Sequence, residues 1–229
     1  MQPTEKLLEY LLCFVSEHKK QRFDQVLSYR TRHLTLVLEN VFQPHNASAV
    51  LRSCDCFGIQ DVHIIENTNT YEVNPNIALG SSKWLTLHKY NTQAINTREC
   101  LLSLKKAGYT LVATSPHHFD FSLINLPLQP KTAILLGTEL NGLSEEAFQM
   151  ADYTLNIPMF GFTESFNVSV SASLILYELT KRLQASDISW QLSPSDRLDI
   201  LLSWARNTVR KSDVLEKNFL NHLKSTKSE

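Results

Sequence analysis

Apolar residues recur along this chain with two different periods, and the switching between them outlines a layered molecule. Leu7, Leu8, Leu11, Leu12 and Val15 follow Thr4 at helical spacing, so residues 4–29 read as one broken or two short amphipathic helices with Thr4 as N-cap. Leu34-Thr35-Leu36-Val37-Leu38 is a β-type run that stops at Gln43-Pro44. A helix follows from about Asn46 to Phe57, and Gly58 closes it. Asp61 to Ile65 is a second strand, Glu66 to Asn76 is loop-like, and Trp84 to Leu87 is a short strand. Thr92 to Lys106 reads as a helix closed by Gly108, Tyr109 to Thr114 as a strand, and Lys131 to Leu136 as another. Leu143 to Met150 is helical, and Asp152 to Ile157 is the last strand.

Strands therefore alternate with helices at βα spacing, which predicts an α/β fold: a mostly parallel sheet with helices on both faces. Val168 to Leu183 is the ambiguous stretch. Its first half alternates like a strand, but its length and its end at Lys181-Arg182 favour a helix. Ser193-Pro194 opens a further helical pair, with Leu198, Leu201, Leu202 and Trp204 as its apolar stripe. The organisation expected is an N-terminal helical extension (1–33), an α/β domain (34–185) and a C-terminal helical extension (186–229).

Composition narrows the class without naming a reaction. An apolar share of 43 % and a charged share of 20 % suit a soluble globular chain, and no window approaches the ~20 apolar residues of a membrane span. The opening Met1-Gln2-Pro3-Thr4-Glu5-Lys6 lacks the pattern of a signal peptide, so a cytoplasmic protein is expected. Cys13, Cys54, Cys56 and Cys100 have no framework spacing. In a helix Cys54 and Cys56 point roughly 200° apart, so reduced, partly buried thiols are expected.

The net charge of −1 is unevenly spread: residues 1–33 balance at +2, 197–229 at +3, and the middle at −6. A nucleic-acid partner would be met by the ends, through Lys19, Lys20, Arg22, Arg30, Arg32 and His33, and through Arg206, Arg210 and Lys211. Charge alone equally suits ordinary solvated helix faces.

Candidate chemistry begins with exclusions. No two of the six glycines form Gly-x-Gly, which argues against a dinucleotide site of the Rossmann type. No Gly-x-Ser-x-Gly, His-Glu-x-x-His or Cys-x-x-Cys occurs, so neither a hydrolase elbow nor a zinc site is expected, and no metal is implied. His117-His118 have no ligand partners at metal spacing, and Trp84 and Trp204 read as core. What remains are three stretches where an apolar strand gives way to a helix. These are Pro44-His45-Asn46-Ala47-Ser48-Ala49-Val50-Leu51-Arg52, Leu136-Gly137-Thr138-Glu139-Leu140-Asn141-Gly142-Leu143-Ser144, and Ile157-Pro158-Met159-Phe160-Gly161 continuing to Glu164-Ser165-Phe166-Asn167-Val168-Ser169. Ligand sites of α/β folds lie at such strand ends.

That ordered set resembles the SPOUT superfamily of RNA ribose methyltransferases, and within it the TrmH type that acts on tRNA, over roughly residues 22 to 185. The resemblance implies a C-terminal trefoil knot, which general folding rules would not suggest, and an S-adenosyl-L-methionine cofactor. It also implies 2′-O-methylation of a ribose, with guanosine 18 of the tRNA D-loop foremost. Another tRNA or ribosomal nucleotide, and a non-catalytic RNA-binding module on the same fold, stay open. By the same resemblance Arg52 is the residue that addresses the 2′-hydroxyl, by removing its proton or by electrostatic orientation. Asn46 holds the arginine or the sugar, Glu139 joins Arg52 or a neighbouring amide, and Ser165 and Asn167 order donor and arginine. Thr114, Leu136, Gly137, Ile157, Met159 and Phe166 take donor-binding positions. A homodimer completing each pocket across its interface is implied too. The small-residue face after Asn167 and the apolar face of the 46–57 helix are its expected contact surfaces.

Overall fold

The computed structural model describes residues 3–41, 43–69, 80–117 and 119–225. They fall into two compact units: residues 31–190, and the two chain ends, 1–30 with 191–229. The first helices, α1 (Pro3–Leu12) and α2 (Glu17–Leu27), belong to the smaller unit. The larger one then runs through β1 (Leu34–Glu39), α3 (Pro44–Cys56), β2 (Asp61–Ile65), β3 (Thr86–Tyr90), α4 (Thr97–Lys106), β4 (Tyr109–Thr114) and β5 (Phe121–Ser122). It continues through β6 (Lys131–Leu136), α5 (Glu145–Met150), β7 (Tyr153–Asn156) and α6 (Val168–Gln184). The smaller unit resumes with α7 (Pro194–Thr208) and α8 (Ser212–Ser225).

Among the described residues, seven strands form one sheet in the order β3-β2-β1-β6-β4-β7-β5, all parallel. At its centre Leu36 sits beside Val62 of β2 and Ile134 of β6. Strands buried on both faces read as unbroken apolar runs, as Leu34–Leu38 does. The period of two sorts their side chains. Leu34, Leu36 and Leu38 meet Ala47, Val50, Leu51 and Cys54 of α3 and Ala172, Ile175, Leu176, Leu179 and Leu183 of α6. Val37, Leu111, Ala113, Ala133 and Leu135 meet Cys100, Leu101 and Leu104 of α4 and Ala147 of α5 on the other face. Burying each leucine stabilises the fold by about 1.5–3 kcal/mol.

Several boundaries differ from expectation for local reasons. Helix α3 starts at Pro44 rather than Asn46, since the missing N–H of proline is no loss at a first helical position; Gln43 takes the N-cap place, and Asn46 lies inside the first turn. Its end is as expected: Gly58 has φ +77, Gly58 N–H reaches Asp55 O, and Ile59 N–H reaches Cys54 O, a Schellman closure. The third strand lies at Thr86–Tyr90 instead of 84–87, with Trp84 half-buried ahead of it, after a short 3₁₀ turn at Ser81–Lys83. Helix α4 begins at Thr97, five residues late. The two-residue strand β5 is an addition that two residues could not announce. Thr4 lies within α1, which starts at Pro3. Part of the loop expected at 66–76, from 70 on, lies outside the described residues, as does His118. Val168–Gln184 is a helix, with Asn167 as its N-cap accepting from Ser169 N–H.

In the smaller unit, Leu7, Leu8 and Leu11 pack with Leu202 and Ala205, Tyr10 stacks on Phe219 at 4.8 Å, and Phe23 lies 5.5 Å from Trp204. Arg30 is fully buried with its guanidinium 5.5 Å from the Trp204 ring, so it cannot meet RNA as expected from its charge. His33 is also buried, bonded to Leu128 O, and Arg32 is half-buried in an ion pair with Asp61 at 2.8 Å. Of the remaining basic candidates, Lys20 pairs with Glu17 and Arg206 is held by both oxygens of Glu216. Lys19 lies over the Phe23 ring, Arg22 bonds Gln25, and Arg210 and Lys211 are exposed. Cys54 and Cys100 are buried, Cys13 and Cys56 exposed, and all four are free thiols.

Candidate active site

The carboxyl ends of β4, β6 and β7 open onto a cavity of about 650 Å³. Its first wall is the loop from Leu136 to Ser144. Thr138 and Gly142 exchange backbone hydrogen bonds at 3.0 and 2.9 Å, closing the loop on itself, with Gly142 at φ +66. A Cβ on Gly137 would sit 2.1 Å from Gly142 C, so glycine is the residue this neck admits. The second wall is the segment from Ile157 to Phe166. Among the described residues, its stretch 158–166 forms no hydrogen bond, and Phe160 and Phe162 are fully exposed. The third contribution comes from β4, whose Thr114 hydroxyl is committed to Leu135 O at 2.9 Å.

A chain of amides ties these walls to α3. Asn46 is 7 % exposed, and every polar atom of its side chain is used. Its Nδ2 donates to Gln43 Oε1 at 2.8 Å and to Glu139 Oε1 at 2.9 Å, and its Oδ1 accepts Asn167 Nδ2 at 2.9 Å. The carboxylate fixes which way the amide faces, since only NH₂ can donate to it. Glu139 also receives the Val168 N–H at 3.3 Å, and Asn167 Oδ1 accepts Ser169 N–H. Three segments more than ninety residues apart in their extremes thus share one polar node.

All six expected donor-site residues, Thr114, Leu136, Gly137, Ile157, Met159 and Phe166, line the cavity, together with Glu139 and Ser165. Asn46 and Asn167 stand behind Glu139 and do not line it. Arg52 is apart: it is exposed and is not in the cavity wall. Six residues along a helix is about 240° of rotation, so Arg52 leaves α3 on a different side from Asn46. A reach into the crevice of its own chain is therefore not what the structure presents. Residues to which the sequence reading gave no role in the site also line the cavity, including Ser115, His117, Leu140 and Glu164. The turn Ser115-Pro116 ending β4 was a signal for the first two, since ligands gather at carboxyl ends of parallel strands.

The surfaces expected to join two copies partly meet within one chain: α3 packs on α6, with Ser53 Oγ 2.8 Å from Ser173 Oγ. The large apolar residues that α6 leaves exposed are Val170, Leu174 and Tyr177.

The cavity suits a nucleoside-bearing sulfonium. Its walls are mostly apolar, and among the described residues two carboxylates (Glu139 and Glu164) line it and no lysine or arginine does. Unspent backbone groups at 158–166 can read a base edge. Among the described residues no group of His, Cys, Asp and Glu could hold a metal ion, and no helix is long and apolar enough to cross a membrane.

Known proteins resemble this chain in sequence and fold. The SpoU rRNA Methylase family matches residues 33–177. A tRNA (guanosine(18)-2′-O)-methyltransferase from Borreliella burgdorferi is 40 % identical over 216 residues, 94 % of this chain and 97 % of that protein. One of the same name from Thermus thermophilus is 35 % identical over 193 residues, 83 % of this chain and 97 % of its own. A crystal structure of the A. aeolicus TrmH/SpoU tRNA modifying enzyme superposes with a TM-score of 0.74 at 32 % identity, covering 85 % of this chain and 98 % of that one. With a family match over most of its length and relatives that it covers almost end to end, the chain belongs to the SpoU rRNA methylase family.

Proposed function

We propose that this protein is an S-adenosylmethionine-dependent RNA 2′-O-methyltransferase whose substrate is guanosine 18 of tRNA. The observation that carries it is the polar node Asn46–Glu139–Asn167, which fastens α3 to both walls of a sulfonium-sized cavity. The substrate follows from the relatives' names at 40 and 35 % identity. S-adenosylmethionine, when bound, supplies an electrophilic methyl group.

The chain's own residues do the rest. Thr114, Leu136, Gly137, Ile157, Met159 and Phe166 hold the donor, apolar walls excluding water and bare backbone reading its base. Glu139 favours positive charge near it, and Ser165 completes the rim. Arg52 meets the ribose and its phosphate, orienting the 2′-oxygen and stabilising the negative charge that develops on it as its proton passes to solvent; a guanidinium does this without losing its own proton. Asn46 and Asn167 set the walls at the distance that positioning demands. Lys19, Lys20, Arg22, Arg206, Arg210 and Lys211, each at least partly exposed, are the basic residues left to meet RNA.

The protein acts as a homodimer in the cytoplasm. Arg52 is exposed and does not line the cavity of its own chain, and exposed Phe160, Phe162, Val170, Leu174 and Tyr177 offer apolar area for a second copy. Each cavity then takes its arginine from the partner. The resemblance adds a trefoil knot in the C-terminal part of the α/β domain.

Incubation with labelled donor and total tRNA, followed by mass spectrometry of the ribose-methylated nucleotide, tests the reading. Methyl at guanosine 18 is expected, and Arg52→Ala should abolish turnover while leaving donor binding intact. Label in ribosomal RNA alone would redirect the substrate, and no label in any RNA would end the proposal.

A further inference from the structure

Strand β1 ends in a carboxylate for which the proposed chemistry has no use. Glu39 is 2 % exposed, and a buried carboxylate is tolerated only where its oxygens are bonded. Its Oε2 accepts the Ser144 backbone N–H at 2.8 Å. Its Oε1 accepts the Ser144 hydroxyl at 2.8 Å and the Thr97 hydroxyl. Thr97 is the first residue of α4, and Ser144 caps α5 by accepting Ala147 N–H at 3.2 Å. One side chain therefore ties the end of a central strand to the starts of two helices.

Ser144 is also where the 137–143 loop ends. That loop is closed at its neck by the Thr138–Gly142 pair, and Gly137 has no free space against Gly142 and Leu143. A closed loop of this kind moves as a body, so its place is set by its two stems. One stem is β6, and the other is Ser144. We propose that Glu39 is a positioning residue of the donor site: by gripping Ser144 it fixes the neck of the loop, and so the places of Gly137 and Glu139. The inference rests on the reading that this cavity takes S-adenosylmethionine.

Two measurements test it. Amide hydrogen exchange on the ligand-free protein should show residues 138–143 exchanging about tenfold faster in Glu39→Ala, with Leu36–Leu38 unchanged. Calorimetry should show the Kd for S-adenosylmethionine rising about tenfold, while the KM for tRNA stays within about twofold. Glu39→Gln should recover most of the affinity, because it can turn its carbonyl to the Ser144 N–H and its amide to the two hydroxyls. Wild-type exchange in the loop overturns the inference, as does loosening spread evenly through β1. If Glu39→Ala does not fold, Ser144→Ala carries the test with an expected rise of about threefold in Kd; an unchanged Kd there overturns it. A wild-type protein that binds no donor would sink the functional reading instead, and the exchange experiment still decides whether Glu39 holds the loop.

Discussion

Asn46 shows how much one side chain can be asked to do. Its NH₂ group serves Gln43 and Glu139 and its oxygen serves Asn167, so neither an apolar nor a charged replacement can satisfy all three. Asn46→Asp is the sharper test because it barely changes shape. It would bring a second carboxylate to about the 2.9 Å at which the amide now meets Glu139, and two such groups cannot both ionise. Methyl transfer should fall by about two orders of magnitude or more, and urea unfolding should register a loss of roughly 1–3 kcal/mol. A single-turnover rate within a few-fold of wild type would remove Asn46 from the site. His63 of β2 gives a second test at this scale. Burial is the main cause that lowers its pKa to about 4, with His88, stacked at 4.5 Å, pushing the same way and Asp61 opposing. The folded state thus refuses a proton that the unfolded chain accepts below about 6.5. Stability present at neutral pH should decline as pH falls from about 6.5 towards 4, by roughly 3 kcal/mol from this group. His63→Leu should flatten that part of the pH profile of denaturation midpoints, and an unaltered slope would show that other groups govern it.

Among elements, α3 and α6 bear most directly on the site, and they differ in how plainly their residues declare them. The closure of α3 at Gly58 could be read from the sequence because left-handed backbone favours glycine. Gly58→Ala, at φ +77, should cost about 1–2 kcal/mol in equilibrium unfolding; a neutral result would mean the turn had rearranged. Strands β1, β2, β4 and β6 were legible for a related reason: burial on both faces demands runs such as Leu34–Leu38 and Thr132–Leu136, which few other structures require. Edge elements were not. Strand β3 is half-exposed and mixed in composition, and β5 is too short to carry a period. At the site, the glycine loop at 137–142 and the Ile157-Pro158-Met159 segment lie in the cavity walls, whereas Arg52, exposed on α3, does not. Its sequence motif says that it matters, but its direction depends on the rotation of α3 against the sheet, which Val50, Leu51 and Cys54 decide by burial. Arg30 failed for a similar reason, since Trp204 lies far off in sequence.

At the scale of the whole molecule, an exposed Arg52 and a cavity without an arginine in its wall pose one question: from which chain the guanidinium comes. A symmetric dimer puts the same two surfaces on both copies, so an arginine offered to the partner is also received from it. Mixing two inactive variants separates the arrangements. Arg52→Ala keeps its cavity and lacks the guanidinium. Gly137→Val keeps Arg52 and fills the neck, where even a Cβ lies 2.1 Å from Gly142. If each site joins the cavity of one protomer to the arginine of the other, a heterodimer holds one site with both parts intact. Random exchange makes about half the dimers mixed, each with one working site of two, so activity should return to about a quarter of wild type. If the arginine served its own cavity, every site in the mixture would lack one part, and co-refolding the two variants would restore nothing. Light scattering on the same samples separates a dimer with sites in cis from a monomer. Recovery near a quarter, absent when the variants are mixed without exchange of subunits, is the outcome expected of the proposed dimer.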